Sequence, residues 1–121
     1  MDKAQIAVTS GPVTALKGGL TLSAEGAACL HQLAGRYVWW KSPDEAMRYP
    51  ERVAAQVMSL GTWEDLTAMA DAVGDDYLRS VLRNAEAGQI DARSWYYWHY
   101  RLELAEFGVT PVPPMPVRKF A

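Results

Sequence analysis

The chain has 121 residues, half of them hydrophobic and about a fifth charged, which is the composition of one folded domain with a modest core and excludes intrinsic disorder. Fourteen acidic residues against twelve basic ones leave a net charge of -2, so no global attraction to nucleic acid operates. The one cysteine, Cys29, excludes an internal disulfide and a thiolate zinc cluster; with no apolar run near the ~20 residues of a membrane span and no signal-peptide pattern, a cytoplasmic location without membrane insertion is expected.

Residues 1 to 22 contain Gly11, Pro12, Gly18 and Gly19 and no helical period, so a flexible leader is expected, with a short hairpin as the alternative. Ser23 is placed to cap a helix with an apolar face of Leu30, Leu33, Ala34, Tyr37 and Val38. Ser42-Pro43-Asp44-Glu45 reads as a capping box with proline at the first helical position. Pro50 ends that short helix and opens the next, whose stripe is Val53, Ala54, Val57, Met58 and Leu60 and whose end at Gly61 is expected to be left-handed.

Thr62 is placed to cap a helix with Glu64 and Asp65 in its first turn and Leu66, Met69, Ala70 and Val73 on its inner face. Gly74 stops it, and Asp75 is expected to cap a further helix burying Leu78, Val81, Leu82 and Ala85. Gly88 breaks that helix, Asp91 caps the last one over residues 92 to 107, and Gly108 closes it. The short connections leave no room for a sheet, which predicts an all-α fold: a compact bundle of five or six short helices over residues 23 to 108. Residues 109 to 121 hold Pro111, Pro113, Pro114 and Pro116 and are expected to form an extended strap with Val112, Met115, Val117 and Phe120 to bury.

No catalytic motif is present. Residues 50 to 73 have the outline of a helix-turn-helix, but residues 62 to 76 carry Glu64, Asp65, Asp71, Asp75 and Asp76 and no basic residue, which repels DNA phosphate. Those carboxylates lack the spacing of a metal site, and capping and solvation account for them. His31 reads as a packed or surface histidine, and Cys29 as a small buried hydrophobe. Ser94 and His99 lie five residues apart, out of register on a helix for a nucleophile and its base. No metal or cofactor is implied.

The segment "SWYYWHYRL" puts rings on nearly every side of its helix. Trp95, His99 and Leu102 share one stripe; Tyr96, Tyr100 and Leu104 share another. Either the helix is central, or one face packs inward while the other awaits a partner, since tyrosine, tryptophan and arginine are enriched at binding hot spots. The expected contact residues are Trp95, Tyr96, Trp98, His99 and Arg101, with Pro113, Pro114 and Phe120 as a docking strap. Nucleic-acid stacking ranks below a protein partner, because the C-terminal half has only a mild basic excess. A DNA-binding regulator acting through that half is the alternative function.

Three stretches, "RYVWWKSPDEAMRYPERVAAQVMSLGTWEDL", "LRNAEAGQIDARSWYYWHYRL" and "PVPPMPVRKF", resemble the small α-helical proteins encoded beside AbiEii/AbiGii-type nucleotidyltransferase toxins, over about residues 36 to 120. The resemblance implies a non-enzymatic antitoxin-like or accessory partner of a nucleotidyltransferase toxin. Glu64, Asp65 and Asp71 would then face a basic groove of that enzyme.

Overall fold

The computed structural model describes residues 14–15 and 21–117. Two β-strands of two residues each, β1 (Thr14–Ala15) and β2 (Thr21–Leu22), pair antiparallel with Thr14 opposite Leu22 and Ala15 opposite Thr21. Leu22 is buried, so core packing begins just ahead of the first helix. The remaining residues of the expected leader lie outside the described residues. Six helices follow: α1 (Ala24–Tyr37), α2 (Pro43–Ala46), α3 (Pro50–Leu60), α4 (Trp63–Val73), α5 (Asp75–Arg83) and α6 (Ala92–Arg101). The fold is all-α apart from the short ladder.

The helix starts follow local chemistry. Ser23, Thr62 and Asp91 each accept a hydrogen bond from the amide three residues on, and Ser42 and Glu45 form the reciprocal capping box. Three expectations about the connections are corrected: α5 ends at Arg83 with Asn84 as its cap, so Ala85 and Gly88 lie beyond it. Gly61 is extended, with φ -68° and ψ 151°, rather than left-handed. Its need for glycine is steric, since a Cβ there would lie 2.6 Å from the Val57 carbonyl oxygen and 3.1 Å from Leu66 Cδ2. Asp75 is the first residue of α5 and not its cap. Gly74, at φ 87° and ψ 155°, ends α4 and begins α5 in a conformation reserved for glycine.

The last helix stops six residues before the expected end at 107, because a Schellman motif closes it. The Leu104 amide donates to the His99 carbonyl at 2.9 Å and the Glu103 amide to the Tyr100 carbonyl at 3.1 Å. Glu103 takes the left-handed position at φ 61°, where a glycine is usual. Residues 106 to 110 then form a tight turn closed by a bridge between Glu106 and Thr110.

The α3 helix is the hub, in contact with all five other helices. Six of its eleven residues are buried: Pro50, Val53, Ala54, Ala55, Val57 and Met58. Adjacent alanines let neighbours approach from more than one side. Around α3 the core is completed by Leu30, Leu33 and Ala34 of α1, Met69 of α4, Leu78, Val81 and Leu82 of α5, and Trp98 of α6. No helix of the described residues is long and apolar enough to cross a membrane.

Candidate partner-binding surface

The α6 helix divides into an inner and an outer side. Asp91 fixes its start by accepting from the Ser94 amide at 2.8 Å, and that bond holds the Asp91 carboxyl below its usual pKa. The inner stripe is Trp95, Trp98, His99 and Leu102, all buried.

Trp98 has no solvent exposure and donates its Nε1–H to the Met58 carbonyl at 3.0 Å. Ser94 Oγ donates to the Ser59 carbonyl at 3.4 Å, and the Gly61 amide donates to the Val57 carbonyl at 2.7 Å. Three of the carbonyls that the end of α3 leaves unpaired are thus satisfied, two of them by α6 side chains. His99 Nδ1 sits 2.8 Å from the Trp95 carbonyl, an acceptor only, so Nδ1 carries the proton and donates. Its ring lies 4.4 Å from that of Trp95.

Trp95, Trp98 and His99 are therefore interior residues, and the expectation that they contact a partner is corrected.

The outer side carries Tyr96, Tyr97 and Tyr100, all exposed. Arg101 binds this side to α4. Its guanidinium stands 4.9 Å above the Trp98 ring, 5.6 Å above Trp63 and 6.0 Å above Tyr97, and it donates to the Tyr97 hydroxyl at 3.2 Å. Arg101 makes no ion pair with a carboxylate among the described residues. Trp63 is 66 % exposed. Trp63 follows the Thr62 cap one turn ahead of Leu66 and two ahead of Ala70, where the first turn of α4 runs past the core, and it is its contact with Arg101 that joins it to this surface.

The acidic residues separate as well. Glu64 and Asp71 are exposed and seven positions apart, so they lie on one line along α4. Asp65 does not join them. It accepts from the Tyr37 hydroxyl at 2.5 Å and from Arg36 at 2.7 Å, and its side chain keeps only 14 % exposure. These bonds, the one from Tyr37 foremost, hold its carboxyl below the usual range. Asp65 ties α1 to α4 and is withdrawn from the partner-binding set.

The strap returns to its own domain. The Pro113 carbonyl accepts from Trp95 Nε1 at 2.8 Å, and Val112 and Met115 pack against the core. Pro114 is exposed, and Phe120 lies outside the described residues. His31 is on the surface, 2.8 Å from Asp44. Cys29 is partly exposed rather than buried, and partial burial together with Asp65 and Glu25 pushes its thiol pKa up, away from nucleophilic character. The buried Tyr77 hydroxyl has no hydrogen-bond partner among the described residues, and burial raises its pKa strongly. Among the described residues no three His, Cys, Asp or Glu side chains converge as a metal site.

Compared with protein-family models, curated proteins and solved structures, the chain matches none.

Proposed function

We propose that this protein is a non-enzymatic protein-interaction module, the antitoxin-like or accessory partner of a nucleotidyltransferase-type toxin. The observation that supports an interaction role is the outer side of α6 with Trp63: four exposed rings and an arginine held by aromatic faces instead of a carboxylate. Those residue types dominate binding hot spots, and they desolvate at low entropic cost when the rings are already fixed. The partner class comes from the sequence resemblance. Glu64, next to Trp63, and Asp71 supply the negative charge to meet a basic groove.

The test uses the tagged full chain to capture proteins from its native cells, with bound proteins and nucleic acid both identified. Recovery of a nucleotidyltransferase, lost in Trp63→Ala and Tyr97→Ala variants that melt like the parent, is the expected result. Charge reversal by Glu64→Lys with Asp71→Lys slows association at low salt. Salt-dependent retention of DNA with no nucleotidyltransferase would transfer the chain to the alternative, a regulator that binds DNA.

A further inference from the structure

A second group of exposed rings lies away from the residues just described, along a cleft beside α3. Its larger compartment, of about 310 Å³, is lined by Trp40, Lys41, Tyr49, Arg52, Gln56 and Gln89, with apolar residues of the core as its floor. A smaller compartment of about 140 Å³ shares Tyr49, Arg52 and Gln89 and continues to Glu51 and Glu86. The larger volume falls at the low end of the ~300–1,000 Å³ typical of small-ligand pockets.

The chemistry of the larger compartment is one-sided. Its charged wall residues are Lys41 and Arg52, with no carboxylate among them. Arg52 forms a long ion pair with Glu86 at 3.9 Å, beyond hydrogen-bond range, while its guanidinium rests 4.6 Å over the Tyr49 ring, and among the described residues no carboxylate holds it by a hydrogen bond. Trp40 is 55 % exposed and is held edge-on by Trp39, with ring centroids 5.5 Å apart and planes at 89°. A large ring is thus presented to solvent at the mouth of the compartment.

The two amides are polarised by their neighbours. Gln56 donates through Nε2 to the Tyr37 carbonyl at 3.4 Å, which leaves its carbonyl oxygen as an acceptor. Gln89 accepts through Oε1 from the Glu86 amide at 2.9 Å, which leaves its nitrogen as a donor. One acceptor, one donor, a stacking face and two cations form a set in which a planar heterocycle bearing a phosphate has a group to meet each. A simple carboxylate would use the cations and leave the ring and amides idle.

We propose that this compartment binds a nucleoside monophosphate, either free or as one residue of a single strand. The base stacks on Trp40 and is read at its edge by Gln56 and Gln89, while Lys41 and Arg52 take the phosphate. The site shares no residue with the Trp63–Arg101 surface, so the two readings fail separately.

Calorimetric titration of the full chain with each of the four ribonucleoside 5′-monophosphates, with inorganic phosphate and with a single-stranded ribohexamer tests this. The expected result is saturable binding of at least one mononucleotide or of the hexamer, which also tells the two sources apart. Trp40→Ala and Arg52→Ala should each raise Kd about tenfold, and Trp63→Ala should leave it unchanged. Arg52→Lys, which keeps the charge and loses the fork, should fall between and guards against a folding defect in Arg52→Ala. No saturable binding in the millimolar range, an unchanged Kd in Trp40→Ala and Arg52→Ala, or inorganic phosphate matching the nucleotides would overturn the assignment.

Discussion

The first turn of α4 meets its neighbours on two sides, and the two junctions are built differently. On one side Asp65 receives the Tyr37 hydroxyl and the Arg36 guanidinium, while the Thr62 amide donates back to the Tyr37 oxygen at 3.1 Å. Each polar group there answers another, and the junction is closed. On the other side Trp63 meets Arg101, whose charge faces rings and one tyrosine hydroxyl. That junction is open: large apolar surface stays exposed, and among the described residues no carboxylate pairs with the cation. A closed polar network explains itself by holding α1 to α4. The open one leaves its rings exposed, and the interaction role proposed above rests on it.

The largest effect that sharpens this contrast comes from beneath the open junction. Trp98 supports Arg101 from below and fills the core between α6 and α3. Trp98→Ala removes a fully buried indole and orphans the Met58 carbonyl, for an expected loss of about 3–5 kcal/mol. Against a total domain stability of about 5–15 kcal/mol, urea unfolding should show a midpoint near collapse. A loss under about 1 kcal/mol would mean that α6 is peripheral and that its inner rings are free to serve a partner after all.

The closed junction is tested next by Tyr37→Phe, which deletes the strongest bond to Asp65 and should cost about 1–2 kcal/mol near neutral pH. The effect is pH-dependent with a definite sign. The folded pKa of Asp65 lies below its ordinary 3.8, chiefly because of Tyr37. The stabilisation is therefore complete above the unfolded pKa and disappears as pH falls through the folded value. Wild type and variant should differ fully at pH 7, and the difference should shrink as pH falls below about 4 to the part owed to the Thr62 amide. A difference that persists unchanged in acid would show that the Tyr37 hydroxyl acts through the Thr62 amide and not through the carboxylate.

These junctions also mark the limit of what the chain discloses before folding. Ser23, Ser42, Thr62 and Asp91 bond to amides three residues away, so their roles are legible in short windows, and with them the all-α fold. The end of α6 is not legible locally, because Glu103 sits where the pattern calls for glycine. Tyr37 and Asp65 are 28 residues apart. Nothing local announces their bond, so Asp65 read as a free surface charge. The same blindness applied to Trp63, whose pairing with Arg101 is tertiary. The two stripes of α6 were legible by period, yet which stripe faces inward depended on the unpaired carbonyls at the end of α3.

The smallest expected effect on stability belongs to Trp63→Ala, and its smallness is what makes it informative. The ring is two-thirds exposed, so little apolar burial is lost, and an exposed cation–π contact contributes about 0.5–1 kcal/mol. Arg101 also keeps its contacts with Trp98 and Tyr97 in the variant. Pairing Trp63→Ala with Arg101→Ala in a double-mutant cycle on urea unfolding isolates that term. A coupling of about 0.5–1 kcal/mol leaves the exposure of Trp63 unexplained by folding and reserves it for recognition. A coupling of about 2 kcal/mol or more would make Trp63 and Arg101 a structural clasp like Tyr37 and Asp65, and the contrast between open and closed junctions would vanish.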